Sequence, residues 1–123
     1  MEYAYKRIGA KGFRETIEAV ERSVGLHGFV VQEMHDIQER LVAKGFPIRP
    51  LVIFEIAPAE ERGEPGLSLL MPCRIHVYEE GPDVIVAAIR PTLFAAVFPE
   101  HGLDGLAEEI EQVVVKVVDS AVS

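Results

Sequence analysis

The sequence predicts an α+β fold: a two-layer sandwich of one sheet with helices packed on one face. Three observations carry this. Strand and helix patterns alternate at first, as β-α-β-α-β. Two strand patterns, Cys73–Glu79 and Val84–Ile89, then follow each other directly and break the alternation of a parallel α/β protein. Finally, a long apolar stripe at helical spacing closes the chain.

Tyr3–Ile8 alternates weakly, as a first strand does. Phe13, Ile17, Val20 and Val24 recur at spacings of four, three and four, which is one face of a helix; Glu15, Glu18, Glu21 and Arg22 turn outward. Gly28 suits the left-handed stop after it. Phe29–Met34 is short and β-branched, hence a strand. Asp36 with Glu39 three residues on reads as a capping box, in which side chains satisfy the free N–H groups of a helix start. Ile37 and Leu41 face inward, and Lys44-Gly45 ends this short helix.

Leu51–Ala57 is an almost unbroken apolar run, interrupted by Glu55, and is placed at the sheet centre because strands covered on both faces read this way. Pro58–Gly66 is polar and turn-rich, with room for one turn of helix. Cys73, Ile75 and Val77 share one strand face; Arg74, His76 and Tyr78 share the other. Gly81-Pro82-Asp83 marks the turn, so residues 73–89 form a hairpin with a loop of about four residues. Pro91 suits the first position of a short helix over Pro91–Phe98. Leu103, Leu106, Ile110, Val113, Val114, Val117, Val118 and Ala121 then make the final stripe. Its valines run against helix propensity, so burial must hold this helix.

The chain is read as one domain over residues 1–123, of 13.6 kDa, 49% hydrophobic and therefore able to build a core. The net charge is −8, which disfavours nucleic acid and anionic membranes as partners. Residues 51–123 hold 4 Lys+Arg against 13 Asp+Glu, and Glu60, Glu61, Glu64, Glu79, Glu80, Glu108, Glu109 and Glu111 read as a solvated acidic face. No apolar run reaches the roughly 18 residues of a membrane span, the N-terminus lacks a secretory signal, and the single cysteine excludes an internal disulfide; together these point to the cytoplasm.

Candidate chemistry is sparse. Cys73 sits between Pro72 and Arg74; a neighbouring guanidinium lowers a thiol pKa, yet alternation turns Arg74 to the opposite face, and buried cysteines are inert. His76 falls on the other strand face from Cys73, so the two make no catalytic pair. His27, His35, His76 and His101 lack metal-site spacing, so no metal and no cofactor is expected. Nucleophile-elbow, phosphate-loop and dinucleotide motifs are absent from the sequence, and the adjacent acidic pairs do not converge.

With these residues in place, the chain resembles the domain of unknown function 302 family. The resemblance runs through Gly28-Phe29-Val30-Val31, Asp36-Ile37, Leu41-x-x-Lys44-Gly45, the strand ending in Ala57-Pro58, Leu69-Leu70-Met71-Pro72-Cys73, Val77-Tyr78-Glu79 and the final helix, over roughly residues 11–120. It implies a β-α-β(4)-α sandwich of the TATA-box-binding-protein-like kind, frequent homodimers, and no settled activity. Three departures stand out. Ile56-Ala57-Pro58 replaces a common Cys-Asn-Pro, the Pro58–Pro72 segment is short, and Arg90-Pro91 replaces Asp-Pro. A two-thiol chemistry is thereby lost.

The expectation is a non-enzymatic homodimeric binding or interaction module. The alternative is a small-molecule-binding protein or enzyme with a pocket near Cys73 and Asp36, its candidate binding residues being Asp36, Pro58, Pro72, Cys73 and Arg74.

Overall fold

A computed structural model describes residues 2–60, 63, 66–99 and 102–123. Its elements are β1 (Ala4–Gly9), α1 (Phe13–Leu26), β2 (Phe29–Asp36), α2 (Ile37–Ala43), β3 (Leu51–Pro58), α3 (Leu67–Leu70), β4 (Cys73–Glu80), β5 (Asp83–Ile89), α4 (Pro91–Val97) and α5 (Asp104–Val122). The strands form one antiparallel sheet in the order β1-β5-β4-β3-β2. The short helices α2, α3 and α4 aside, this is the β-α-β(4)-α order.

Helices α1 and α5 cover one face of the sheet. Beneath them Val52, Phe54 and Ile56 of β3, Ile75 and Val77 of β4, and Val86 and Ala88 of β5 meet Val20 and Val24 of α1 and Ile110, Val114, Val117 and Val118 of α5 in one core. Burial of this stripe outweighs the β-branched penalty of α5. Polar ties fix the layers. Buried Ser23 donates from Oγ to the Val117 carbonyl at 2.7 Å. Tyr5 and Arg7 of β1 both donate to Asp119 of α5, at 2.6 and 2.8 Å.

The chain turn after α1 depends on Gly28, whose φ of 78° puts it in the left-handed region. In β2 the register against β3 slips between Val31 and Glu33, a bulge that leaves Val31 and Met34 on the helix side and Glu33 and His35 on the other.

Several expectations shift. The apolar run of β3 lies inside the sheet, but β4 holds the centre, because β1 adds beyond β5. The hairpin is tighter than expected: Glu80 pairs with Asp83, leaving Gly81-Pro82 as the turn. Within Pro58–Gly66, where one turn of helix is expected, residues 61, 62, 64 and 65 lie outside the described residues, the others are not helical, and α3 begins just after it, at Leu67. His101, Glu61 and Glu64 also lie outside them. Glu111 departs from the solvated acidic face: it is half-buried and holds α4 to α5.

Among the described residues no helix is long and apolar enough to cross a membrane. The second sheet face carries neither α1 nor α5; on it Ala57, Ile85 and Ala87 are buried, and Leu51 and Ile53 are half-buried.

Candidate functional site

The sheet register writes the open face as rows. His35, Ile53, His76, Ala87 and Lys6 lie side by side from β2 to β1. On one side of them runs Glu33, Glu55 and Arg74, on the other Leu51, Tyr78, Ile85 and Ile8. Directly opposed side chains in such rows touch. His35 Nε2 lies 3.0 Å from Glu55 Oε2, and Arg40 Nη2 lies 3.2 Å from His35 Nδ1. Arg74 Nη2 stands 3.8 Å from Glu55 Oε1. The face thus carries the polar Arg74, His76 and Tyr78 along its central strand, apolar residues of β3 and β5 on either side of them, and an Arg40–His35–Glu55–Arg74 chain across one part. Burial, and then the charge of Arg74, lower the pKa of His76 below its ordinary value.

At the end of the sheet where β4 begins, a cleft of about 330 Å³ opens. Leu69 and Leu70 of α3 and the Met71-Pro72 turn, a cis peptide, form one wall. Ile89 of β5, with Pro91 and Phe94 of α4, forms the other. Cys73, Glu55 and Arg74 complete the lining. Leu69, Ile89 and Phe94 are 54%, 41% and 39% exposed, an unusual gathering of large apolar side chains around one opening.

Three sequence candidates therefore come together here: Pro72, Cys73 and Arg74. Pro58 does not line this cleft in the structure; it ends β3 opposite Phe29. Asp36 is elsewhere again. It pairs with Val52, whereas Cys73 pairs with Ile56, so four residues of β3, about 13 Å at strand rise, separate the two positions. Asp36 Oδ1 accepts from the Glu39 N–H at 2.9 Å and caps α2. A pocket shared by Cys73 and Asp36 is not formed, because the β2–β3 register sends them to opposite ends of the strand pair.

Cys73 is 8% exposed, on the helix side of β4, and its thiol donates to the Leu70 carbonyl at 3.5 Å. Burial pushes its pKa up to about 11. The thiol is protonated at neutral pH, which removes its nucleophilic form. Arg74 points to the opposite face, as alternation requires, and does not activate it. Among the described residues no group of three or more His, Cys, Asp or Glu side chains is placed to hold a metal ion.

Sequence reading missed Glu55, Ile89 and Phe94 as cleft residues. Glu55 did leave a signal, as the charge interrupting an apolar strand. It also missed the tie behind the cleft. Arg90 donates to Glu111 Oε2 from Nε and Nη2 at 3.2 and 2.9 Å, and Thr92 donates to Oε1 from its N–H and hydroxyl at 3.1 and 2.6 Å. Burial alone raises the Glu111 carboxyl pKa, but these bonds outweigh it and leave it lowered. The Arg90-Pro91 pair thereby anchors the start of α4, the cleft's wall, to α5.

The family model described as "Domain of unknown function DUF302" matches residues 5–121. The chain is similar to a solved structure, an uncharacterized conserved protein DUF302 from Bacillus stearothermophilus, at 25% identity and a TM-score of 0.90, covering 98% of this chain and 99% of that one. No functionally curated protein matches the sequence.

Proposed function

The chain belongs to the DUF302 family, and from that premise we propose that it is a non-enzymatic interaction module, working as a homodimer paired through the open face of its sheet. One observation carries this reading. The strands β3 and β5 are apolar on both faces, as strands covered on both sides are, yet α1 and α5 cover only one. Of the apolar side chains that face away from α1 and α5, Ala57, Ile85 and Ala87 are buried within the chain, while Leu51 and Ile53 are half-buried and keep apolar surface for a partner.

A second copy is the occupant that suits this face. A two-fold interface must be self-complementary. With the axis running along β4, β1 of one copy meets β2 of the other. That sets Lys6 toward the Glu33 side, twice, and lays Ile53 of β3 toward Ala87 of the other copy's β5 on either side of the polar β4 residues at the axis. The protonated, buried Cys73 supports a role without covalent catalysis. A single thiol with no disulfide partner in the chain suits the cytoplasm as its setting in this proposal. The charge of −8 leaves nucleic acid out of the proposed partners.

Sedimentation equilibrium tests this. The expected species has twice the chain mass of 13.6 kDa, and Ile53→Glu, which sets a carboxylate in the middle of the face, converts it to monomer. A monomer at every concentration up to about millimolar, or an Ile53→Glu variant that dimerises as the native chain does, overturns the proposal.

A further inference from the structure

A two-fold axis along β4 leaves each β4 residue at its own height and brings it to the same residue of the other copy. Arg74, His76 and Tyr78 point out of the open face of β4, the central strand, so the axis sets His76 against His76 of the other copy. Packed sheets stand about 10 Å apart, a gap that two facing imidazoles fill between them.

The surroundings of His76 suit a neutral ring. It is half-buried. Its neighbours in the same row are apolar, Ile53 of β3 and Ala87 of β5. Arg74 and Tyr78 flank it along β4. Its diagonal neighbours are Leu51 and Glu55 on β3 and Ile85 and Ile89 on β5. Glu55 is the one carboxylate among these, and it is engaged by His35 at 3.0 Å and approached by Arg74 at 3.8 Å. Farther out stand His35 and Glu33 on β2 and Lys6 on β1, and the two-fold sets Lys6 toward His35 of the other copy. At the axis the other copy adds a second Arg74, His76 and Tyr78. A proton on His76 therefore meets guanidinium groups from both chains and a second imidazole, while the nearby carboxylate is already occupied. Burial and then Arg74 lower the His76 pKa within one chain, and cover by a second copy takes further water from the ring.

We infer, resting on the dimer proposed above, that His76 makes this dimer acid-labile: two imidazoles that lie neutral against each other across the axis repel once protonated, and the copies part. Each chain takes up one proton as the dimer dissociates. The dissociation constant then rises as pH falls, by at most about a hundredfold per pH unit, the limit for two protons.

Sedimentation equilibrium of the full chain between about pH 8 and about pH 5.5 tests this, with circular dichroism at each pH to report the fold. The dissociation constant is expected to rise at least about tenfold toward the acid end, with the circular dichroism unchanged. His76→Gln, which keeps a neutral polar side chain at the axis, is expected to dimerise equally across the range. His35→Gln is expected to keep the native dependence, because the His35 ring has Glu55 as its own counter-charge. A dimer equally stable at both ends of the range overturns the inference and leaves the dimer standing. So does a His76→Gln variant with the native dependence, a His35→Gln variant without it, or dissociation that comes only with loss of the circular dichroism. A chain that is monomeric even at the alkaline end overturns both readings together.

Discussion

On β3, Val52, Phe54 and Ile56 point under α1 and α5 and are almost wholly buried, while Leu51 and Ile53, their immediate neighbours, point the other way and keep part of their surface in water. The residue types are the same; the surroundings differ. On β5 the contrast narrows: Val86 and Ala88 pack under the helices, and Ile85 and Ala87, on the other face, are buried as well. Apolar side chains therefore mark a face meant for cover without saying what supplies the cover. On the helix face the chain supplies it from its own sequence. On the open face we propose a second copy.

The largest effect expected from this contrast comes from paired truncations on β3. Phe54→Ala empties a fully buried site under the helices and is expected to cost about 3–5 kcal/mol in urea unfolding. Ile53→Ala, one residue away, is expected to cost under about 1.5 kcal/mol in the monomer and to act mainly on dimer dissociation. Equal losses of monomer stability from both variants break the distinction between the faces.

A smaller effect is expected at the α4–α5 tie. Glu111→Ala removes the acceptor shared by Arg90 and Thr92 and frees the start of α4. A loss of about 1–2 kcal/mol follows, read as several degrees in Tm, and the Phe94 wall of the cleft loosens with it. Because the folded Glu111 carboxyl titrates below its unfolded value of 4.5, its contribution is present above that pH and is lost as pH falls through the lowered folded value. Glu111→Gln is expected to remove this acid-limb slope, and a native slope that survives the substitution assigns it to other carboxylates.

The smallest effect belongs to His76, on the open face. Burial and then Arg74 lower its pKa in the folded chain from 6.5. The unfolded chain therefore binds the proton more readily, so stability is full above about pH 6.5 and declines as pH falls from there toward the lowered folded value. His76→Gln is expected to flatten the profile across that window by a fraction of a kcal/mol. Identical profiles for the two proteins locate the titration elsewhere.

Much of the fold was legible because it rests on local periodicity. The stripe of α5, the alternation of β4 and the Asp36 cap of α2 each lie within a few residues, where spacing dictates which side chains share a face. The candidate site was only half legible. Pro72, Cys73 and Arg74 are adjacent in sequence and stay together in the cleft. Ile89, Phe94 and Glu55 join them only because β3, β4 and β5 pair in a particular register. Asp36 shows in the sequence as the cap of α2, but the antiparallel β2–β3 pairing sets it at the far end from Cys73. Arg90 stood out only as a departure from the family pattern; its partner Glu111 lies twenty-one residues away, beyond any local signal.

By itself the sequence determined which segments form strands and helices, that both faces of β3 and β5 are apolar, and that one cysteine stands alone. Tertiary structure alone decided that β4 takes the sheet centre and that α1 and α5 both settle on one face. It also decided that the Cys73 thiol is sealed in a protonated state while Arg74 is left at the mouth of a cleft. The physical reason is one of range. Backbone geometry fixes side-chain direction residue by residue, whereas burial, pKa and cavity shape are set by atoms that approach from distant parts of the chain.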